Sequence, residues 1–183
     1  MMPYIQGDAA SVPRVYSAYA KILNAVFLEK DEIGFLTIDE SVAVAGKPHR
    51  GARSKYGRAL HTEAGLLANS HVWGGPVWGG SNCVTLDRDV KILLANNLDD
   101  SCAVWCAEHR DTSPDGDIGY AAEDYPYDAA VFMKAGEVHE IGLLTPHESL
   151  PVQRDSNRQF LRIVSSGVHG REPYFTTNPV LEA

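Results

Sequence analysis

Four side chains in this sequence have the types and spacing of a metal-dependent site. Leu60-His61-Thr62-Glu63 sets an imidazole and a carboxylate two residues apart. On an extended segment, residues i and i+2 share a face. His147 lies 84 residues beyond Glu63 (147 minus 63), between Pro146 and Glu148-Ser149, where an apolar strand pattern ends. Arg158 opens the next strand pattern eleven residues later. Two imidazoles and one carboxylate make a facial ligand set with open positions, which suits non-haem iron. A guanidinium grips a carboxylate through a planar fork, so Arg158 suits an acidic cosubstrate. Arg162 is four residues further on and shares the strand face of Arg158; a surface ion pair is the alternative role for either arginine. Short His-x-acid triplets also arise by chance, so a solvated strand is the plain alternative for His61 and Glu63.

Other groups compete for the same roles. His109-Arg110-Asp111 is a second His-x-acid triplet, but only 36 residues (147 minus 111) separate it from His147. That leaves little chain for the strands between them. His139 closes Gly136-Glu137-Val138-His139. Cys102 and Cys106 lie four apart and read either as zinc ligands or as two small buried hydrophobes. Trp73-Gly74-Gly75 and Trp78-Gly79-Gly80 lack the Lys-Ser/Thr of a phosphate loop. They read as a turn-rich lid with Trp73 and Trp78 bordering a substrate. No Ser or Cys sits in a nucleophile elbow.

The elements that must position these groups are mostly strands. Ser11-Val12-Pro13 is a helix start, with Ser as N-cap and Pro in the first turn. Val15, Tyr19, Ile22, Leu23, Val26 and Phe27 then recur at helical spacing, predicting one amphipathic helix over 11–29. From Ile33 the pattern is β. Gly34–Ile38 and Val42–Ala45 flank Asp39-Glu40-Ser41 as a hairpin would. Short strands follow at Cys83–Leu86, Lys91–Leu94, Cys102–Cys106, Ala130–Met133, Val138–Leu144 and Gln159–Val164. Gly46–Gly57 is a basic loop, and Lys47, His49, Arg50, Arg53, Lys55 and Arg58 fall within twelve positions there. Asp111–Tyr127 is acidic and predicts a long exposed loop. About eight strands at this spacing predict a jelly-roll or barrel-like sandwich. The expected organisation is one domain over 1–183: the helix, a β core over 33–166 and an irregular tail over 167–183.

Composition narrows the partners. The chain has 183 residues, 44% of them hydrophobic, and a net charge of -8. An acidic protein is a poor match for nucleic acid or an anionic membrane. No apolar run approaches the length of a bilayer span. Three cysteines and no signal-peptide pattern at the N-terminus predict a reducing, cytoplasmic location.

Lys134-Ala135-Gly136-Glu137, His147 and Arg158 together resemble the distal half of the double-stranded β-helix in iron(II)- and 2-oxoglutarate-dependent oxygenases. His61-Thr62-Glu63 is similar to the proximal half of that family's motif, with Glu where Asp is commoner, and Gln159-Phe160 stand where a hydroxyl residue often follows the Arg. The resemblance spans roughly 60–164 and rests on a handful of positions. It implies a double-stranded β-helix with an N-terminal packing helix. It also implies Fe(II) on His61, Glu63 and His147, and 2-oxoglutarate on Arg158 or Arg162. The substrate would be a small molecule or a protein side chain. Gly136–His139 resembles the second motif of the cupins, in which His139 would replace His147. His61-Thr62-Glu63 with Ser101-Cys102 and Cys106 resembles the zinc-dependent cytidine deaminases. A non-catalytic jelly-roll binding or structural protein is the alternative to the oxygenase, and a zinc deaminase the second alternative.

Overall fold

Nested antiparallel pairing organises the chain. The computed structural model describes residues 1–49, 56–67, 70–73, 85–86, 90–111, 116–169 and 175–182, with 64–67, 70–73, 85–86 and 168–169 described as backbone. The strands are β1 (Met2–Ile5), β2 (Ile33–Ala43), β3 (Ala64–Leu67), β4 (Ser70–Trp73), β5 (Thr85–Leu86), β6 (Lys91–Asn96), β7 (Cys102–Val104), β8 (Val131–Phe132), β9 (Val138–Gly142), β10 (His147–Ser149), β11 (Ser156–Val164) and β12 (Val168–His169). The innermost pair is β7 with β8. Around it β6 pairs with β9, His61 bridges His147 of β10, and β2 pairs with β11 along nine residue pairs. The pairs β11–β6 and β10–β7 join these layers into two sheets.

The protein is therefore mostly β. One antiparallel sheet has five strands in the order β1-β2-β11-β6-β9, and a second has three in the order β10-β7-β8. Two short ladders, β12-β5 and β3-β4, complete the described pairing.

Strand alternation sorts the apolar residues into layers. Phe35, Ile92, Leu94 and Val164 of the larger sheet meet Val104 and Met133 of the smaller one between the sheets. Leu36, Leu93, Leu161 and Ile163 point the other way, under the N-terminal segment. Leu60, Ala103, Trp105, Ile118 and Tyr125 fill a third cluster on the far side of the smaller sheet. A buried Leu or Ile contributes roughly 1.5–3 kcal/mol, so each cluster is a substantial share of the stability.

Several sequence expectations are corrected here. The helix predicted over 11–29 is a 3₁₀ segment, Arg14–Tyr19, running into a short α-helix, α1 (Ala20–Ala25). Winding at three residues per turn rotates the first part off the 3.6-residue stripe. Val15 is accordingly 81% exposed, whereas Leu23 in α1 is fully buried. The hairpin predicted around Asp39-Glu40-Ser41 is absent, because β2 runs straight through these residues. Continuous pairing with β11 overrides their turn preference. The loop predicted over 111–127 is not uniformly exposed. Asp117, Ile118, Gly119 and Ala121 are buried, and Gly119–Asp124 is a 3₁₀ segment. In the tail, Asn178 is buried and its amide donates to the carbonyls of Pro3 and Ser11. No helix among the described residues is long and apolar enough to cross a membrane.

Candidate functional site

The extended segment at His61 has hydrogen-bonded neighbours on both sides. His61 N donates to His147 O at 3.0 Å and His147 N donates back to His61 O at 2.9 Å. On its other side Thr62 N donates to Gly116 O, and Ile118 N donates to Leu60 O. Gly116 has φ +78°, and a Cβ built there would lie 2.3 Å from the Thr62 carbonyl oxygen. Only glycine admits this approach. The register sets His147 and Asp117 opposite His61, and directly paired residues share a sheet face.

The two imidazoles lie side by side, with ring centroids 4.2 Å apart. Each is held by the same device. His61 Nδ1 contacts Ala59 O at 2.7 Å, and His147 Nδ1 contacts Thr145 O at 2.9 Å. A carbonyl oxygen only accepts, so each Nδ1 is the donor. In the neutral ring the lone pair is then on Nε2. This backbone bond on the second ring nitrogen is what orients metal-binding histidines.

Glu63 closes the cluster. Its Oε1 is 3.6 Å from His147 Nε2. Two acceptors face each other there unless a proton or a cation stands between them. Two ligands of one metal at about 2.0–2.2 Å would lie roughly 3–3.5 Å apart, close to this separation. The carboxylate also receives Arg162, whose Nη1 is 3.2 Å from both Oε1 and Oε2. Arg162 Nη2 donates to Thr37 Oγ1 at 3.3 Å. Glu63, His147 and Arg162 are all buried. Burial alone would push the Glu63 carboxyl up. The Arg162 guanidinium first, and then the neighbouring His147 and His61, outweigh it and hold the acid well below the usual carboxylate range.

His61, Glu63, His147 and Arg162 thus converge between the sheets, the last from the larger sheet and the others from the smaller sheet's side. Arg158 lies four residues from Arg162 along β11, roughly 13 Å at strand rise. Its Nη1 is 3.4 Å from Asp39 Oδ2, and its guanidinium sits 4.5 Å from the Phe160 ring. Ser41 Oγ and His49 Nε2, 3.0 Å apart, lie beside Asp39. The larger sheet's inner face is therefore polar from Thr37 to Ser41 and apolar at Phe35.

The backbone of Trp73 pairs with Ala64, next to Glu63; its side chain, and all of Trp78, lie outside the described residues. His139 sits on β9 opposite Leu94, with its Nε2 3.4 Å from Glu137. His109 is held by the Tyr125 and Tyr120 hydroxyls and the Asp111 carbonyl. Cys102 is on β7, where burial pushes its thiol up to about 12, and Cys106 is exposed. Neither cysteine opens a helix.

Sequence reasoning missed Thr37, Asp117 and the partner of Arg162. A buried Asp within an acidic stretch has no local signal, and the Glu63–Arg162 pair spans 99 residues. Donor types fit a divalent cation: two oriented imidazoles and a carboxylate. Among the described residues, however, no three His, Cys, Asp or Glu side chains are gathered as a metal-holding group. No protein-family model, no curated protein and no solved structure matches this chain.

Proposed function

We propose that the protein is a non-haem iron(II), 2-oxoglutarate-dependent oxygenase built on a double-stranded β-helix, acting on a small molecule or a protein side chain. Four nested antiparallel pairs support the fold. A jelly roll arises when a long hairpin folds over on itself, so that successive strands exchange sheets. Here β2, β6, β9 and β11 fall in one sheet, while β7, β8 and β10, with the His61 segment bridged to β10, make up the other side.

The observation that carries the function is the pair of imidazoles, each with Nδ1 bonded to a backbone carbonyl, beside the buried Glu63 carboxylate. His61, Glu63 and His147 would hold the ion, which when bound supplies open positions for cosubstrate and oxygen. The backbone bonds hold both rings in place. The two sheets bury Glu63 and His147. Arg158, buried and on the same strand face as Arg162, is the anchor for the far carboxylate of the cosubstrate, and Asp39 limits its swing.

The test is metal analysis followed by calorimetric titration of 2-oxoglutarate into metal-loaded protein. Arg158→Ala should weaken cosubstrate binding about ten- to a hundredfold, the value of a charge-assisted pair. Arg158→Lys should recover only part of it. Equal affinity in wild type and Arg158→Ala removes Arg158 from the site.

A second reading is a metal-free jelly-roll binding protein. The grip of Arg162 on Glu63 favours it, since a buried carboxylate satisfied by a guanidinium needs no cation. Absence of bound metal and of 2-oxoglutarate binding would select this reading. The zinc deaminase has weaker support, because Cys102 lies within strand β7 and neither it nor Cys106 opens a helix.

A further inference from the structure

We infer that the cavity beneath the C-terminal segment is a binding site for a small organic cation with an apolar body. This inference is independent of the oxygenase reading, because the cavity shares no wall residue with the cluster at His61. Hydrogen bonds to the N-terminal strand build its frame. Thr176 N donates to Met1 O at 2.8 Å, and the buried Asn178 amide donates to the carbonyls of Pro3 and Ser11. These bonds fasten residues 175–182 beside β1. Between this segment, the start of β2 and the chain just beyond β11 lies a cavity of about 470 Å³. Small-molecule sites commonly fall between about 300 and 1,000 Å³.

The walls select the ligand. Pro3, Ile33, Phe35, Phe175 and Leu181 are apolar, and the Phe35 and Phe175 ring centroids lie 4.5 Å apart. Ile33 is 43% exposed, so an apolar body entering here would cover a side chain that the fold leaves open. Charge on the wall comes from Glu32 and Glu182, and among the described residues no lysine or arginine lines it. A third carboxylate, Glu29, reaches the same wall, where its Oε2 accepts from Ser166 N at 2.7 Å. Lys30, two residues before Glu32, packs its stem beside Gly7 and is not part of the wall. Carboxylates around an apolar cleft attract a cation and repel an anion. Aromatic rings add to the attraction for an ammonium group. Ser166 is 8% exposed, and its buried Oγ has no hydrogen-bond partner among the described residues. A buried hydroxyl without a partner is costly, and a ligand N–H would satisfy it.

The probe is tryptamine, which is protonated at pH 7, with indole-3-propionate as its anionic counterpart. Each would be titrated into the isotope-labelled full chain and followed through backbone amide shifts. Tryptamine should bind with a dissociation constant of about 1 mM or below, as a ligand this small can, and shift amides within 32–35, 166–167 and 175–182. Indole-3-propionate should bind at least about tenfold more weakly. Glu32→Gln/Glu182→Gln should weaken tryptamine about three- to tenfold, the weight of two exposed ion pairs, without weakening indole-3-propionate. Ile33→Trp, at an exposed strand position that tolerates an aromatic, should fill the cavity and abolish binding of both probes. An otherwise wild-type amide spectrum shows that each variant folds. Equal affinity for the two probes, or for wild type and the double glutamine variant, overturns the cation site. So does undiminished tryptamine binding by Ile33→Trp. The absence of saturable shifts with tryptamine, or shifts centred on other residues, overturns it as well.

Discussion

Replacing Glu63 with Gln in metal-stripped protein isolates the energetic weight of the buried pair. The guanidinium of Arg162 is almost fully enclosed, and Glu63 is its buried counter-charge. Removing one partner of such a pair costs about 3–5 kcal/mol, because the other charge is left without compensation. The amide of Gln keeps one acceptor for Nη1, which puts the expected loss toward the lower end of that range. With a urea slope of about 2 kcal/mol/M, the midpoint should fall by roughly 1.5 M or more at pH 7 with the slope unchanged. Acidification should narrow the gap between wild type and variant. Above about pH 4.3, the ordinary glutamate value, the carboxylate contributes its full share. Below it the unfolded chain takes up a proton that the folded site refuses, and the contribution declines until the depressed folded value is reached. The double variant Glu63→Gln/Arg162→Met should be no less stable than Glu63→Gln, since it removes the stranded charge. A loss below about 1 kcal/mol at pH 7, or a gap that widens on acidification, would refute the assignment of Glu63 as a buried, ionised partner of Arg162.

Three further outcomes follow from the surrounding structure. Gly116→Ala should destabilise by at least about 2 kcal/mol in urea melts, because the residue has positive φ and its Cβ would strike the Thr62 carbonyl; an unchanged midpoint would show that the 116–118 segment does not clamp the His61 strand. Arg58→Ala should cost about 2–3 kcal/mol and speed proteolysis within 119–129, since Arg58 bonds Glu148 and the carbonyls of Ala122 and Tyr125 and stacks 4.5 Å from the Tyr127 ring. Iodoacetamide at pH 7.5 should label Cys106 well before Cys102, as mass spectrometry of the peptides would show, because the Cys102 thiol is raised to about 12.

The strands that position the site were legible where apolar alternation was strong, as in 91–96 and 156–164. Legibility failed where distant pairing decided the outcome. Asp39 and Ser41 look like turn residues, yet β11 zips past them and turns their side chains toward Arg158 and His49. The N-terminal helix had the right apolar residues but the wrong winding, because no local signal distinguishes a three-residue from a 3.6-residue turn over Arg14–Tyr19. Strand alternation, a local rule, was enough to expect His61 and Glu63 on one face, and cross-strand pairing brings His147 beside them. Which arginine meets Glu63 depends on how β11 lies across the other sheet. No residue near Arg158 or Arg162 encodes that.

The inner face of the larger sheet poses a physical question that its fold alone does not answer. Between two sheets, apolar side chains are the inexpensive filling, and Phe35, Ile92, Leu94 and Val164 supply it at one end. Further along the same face stand Thr37, Asp39, Arg158 and Arg162, meeting Glu63 and His147 from the other side. Exchanging a buried ion pair for well-packed hydrophobic residues is often neutral or stabilising by about 1–4 kcal/mol. A sequence selected for stability alone would have continued the apolar core to the end of β11. The polar half also has features that packing does not require: matched backbone bonds that orient both histidines, and a buried carboxylate held below the usual carboxylate range. Departures of this kind from the cheapest core are expected where a protein binds or reacts. They are the reason the proposed site is sought between the sheets, at the strand that carries His61.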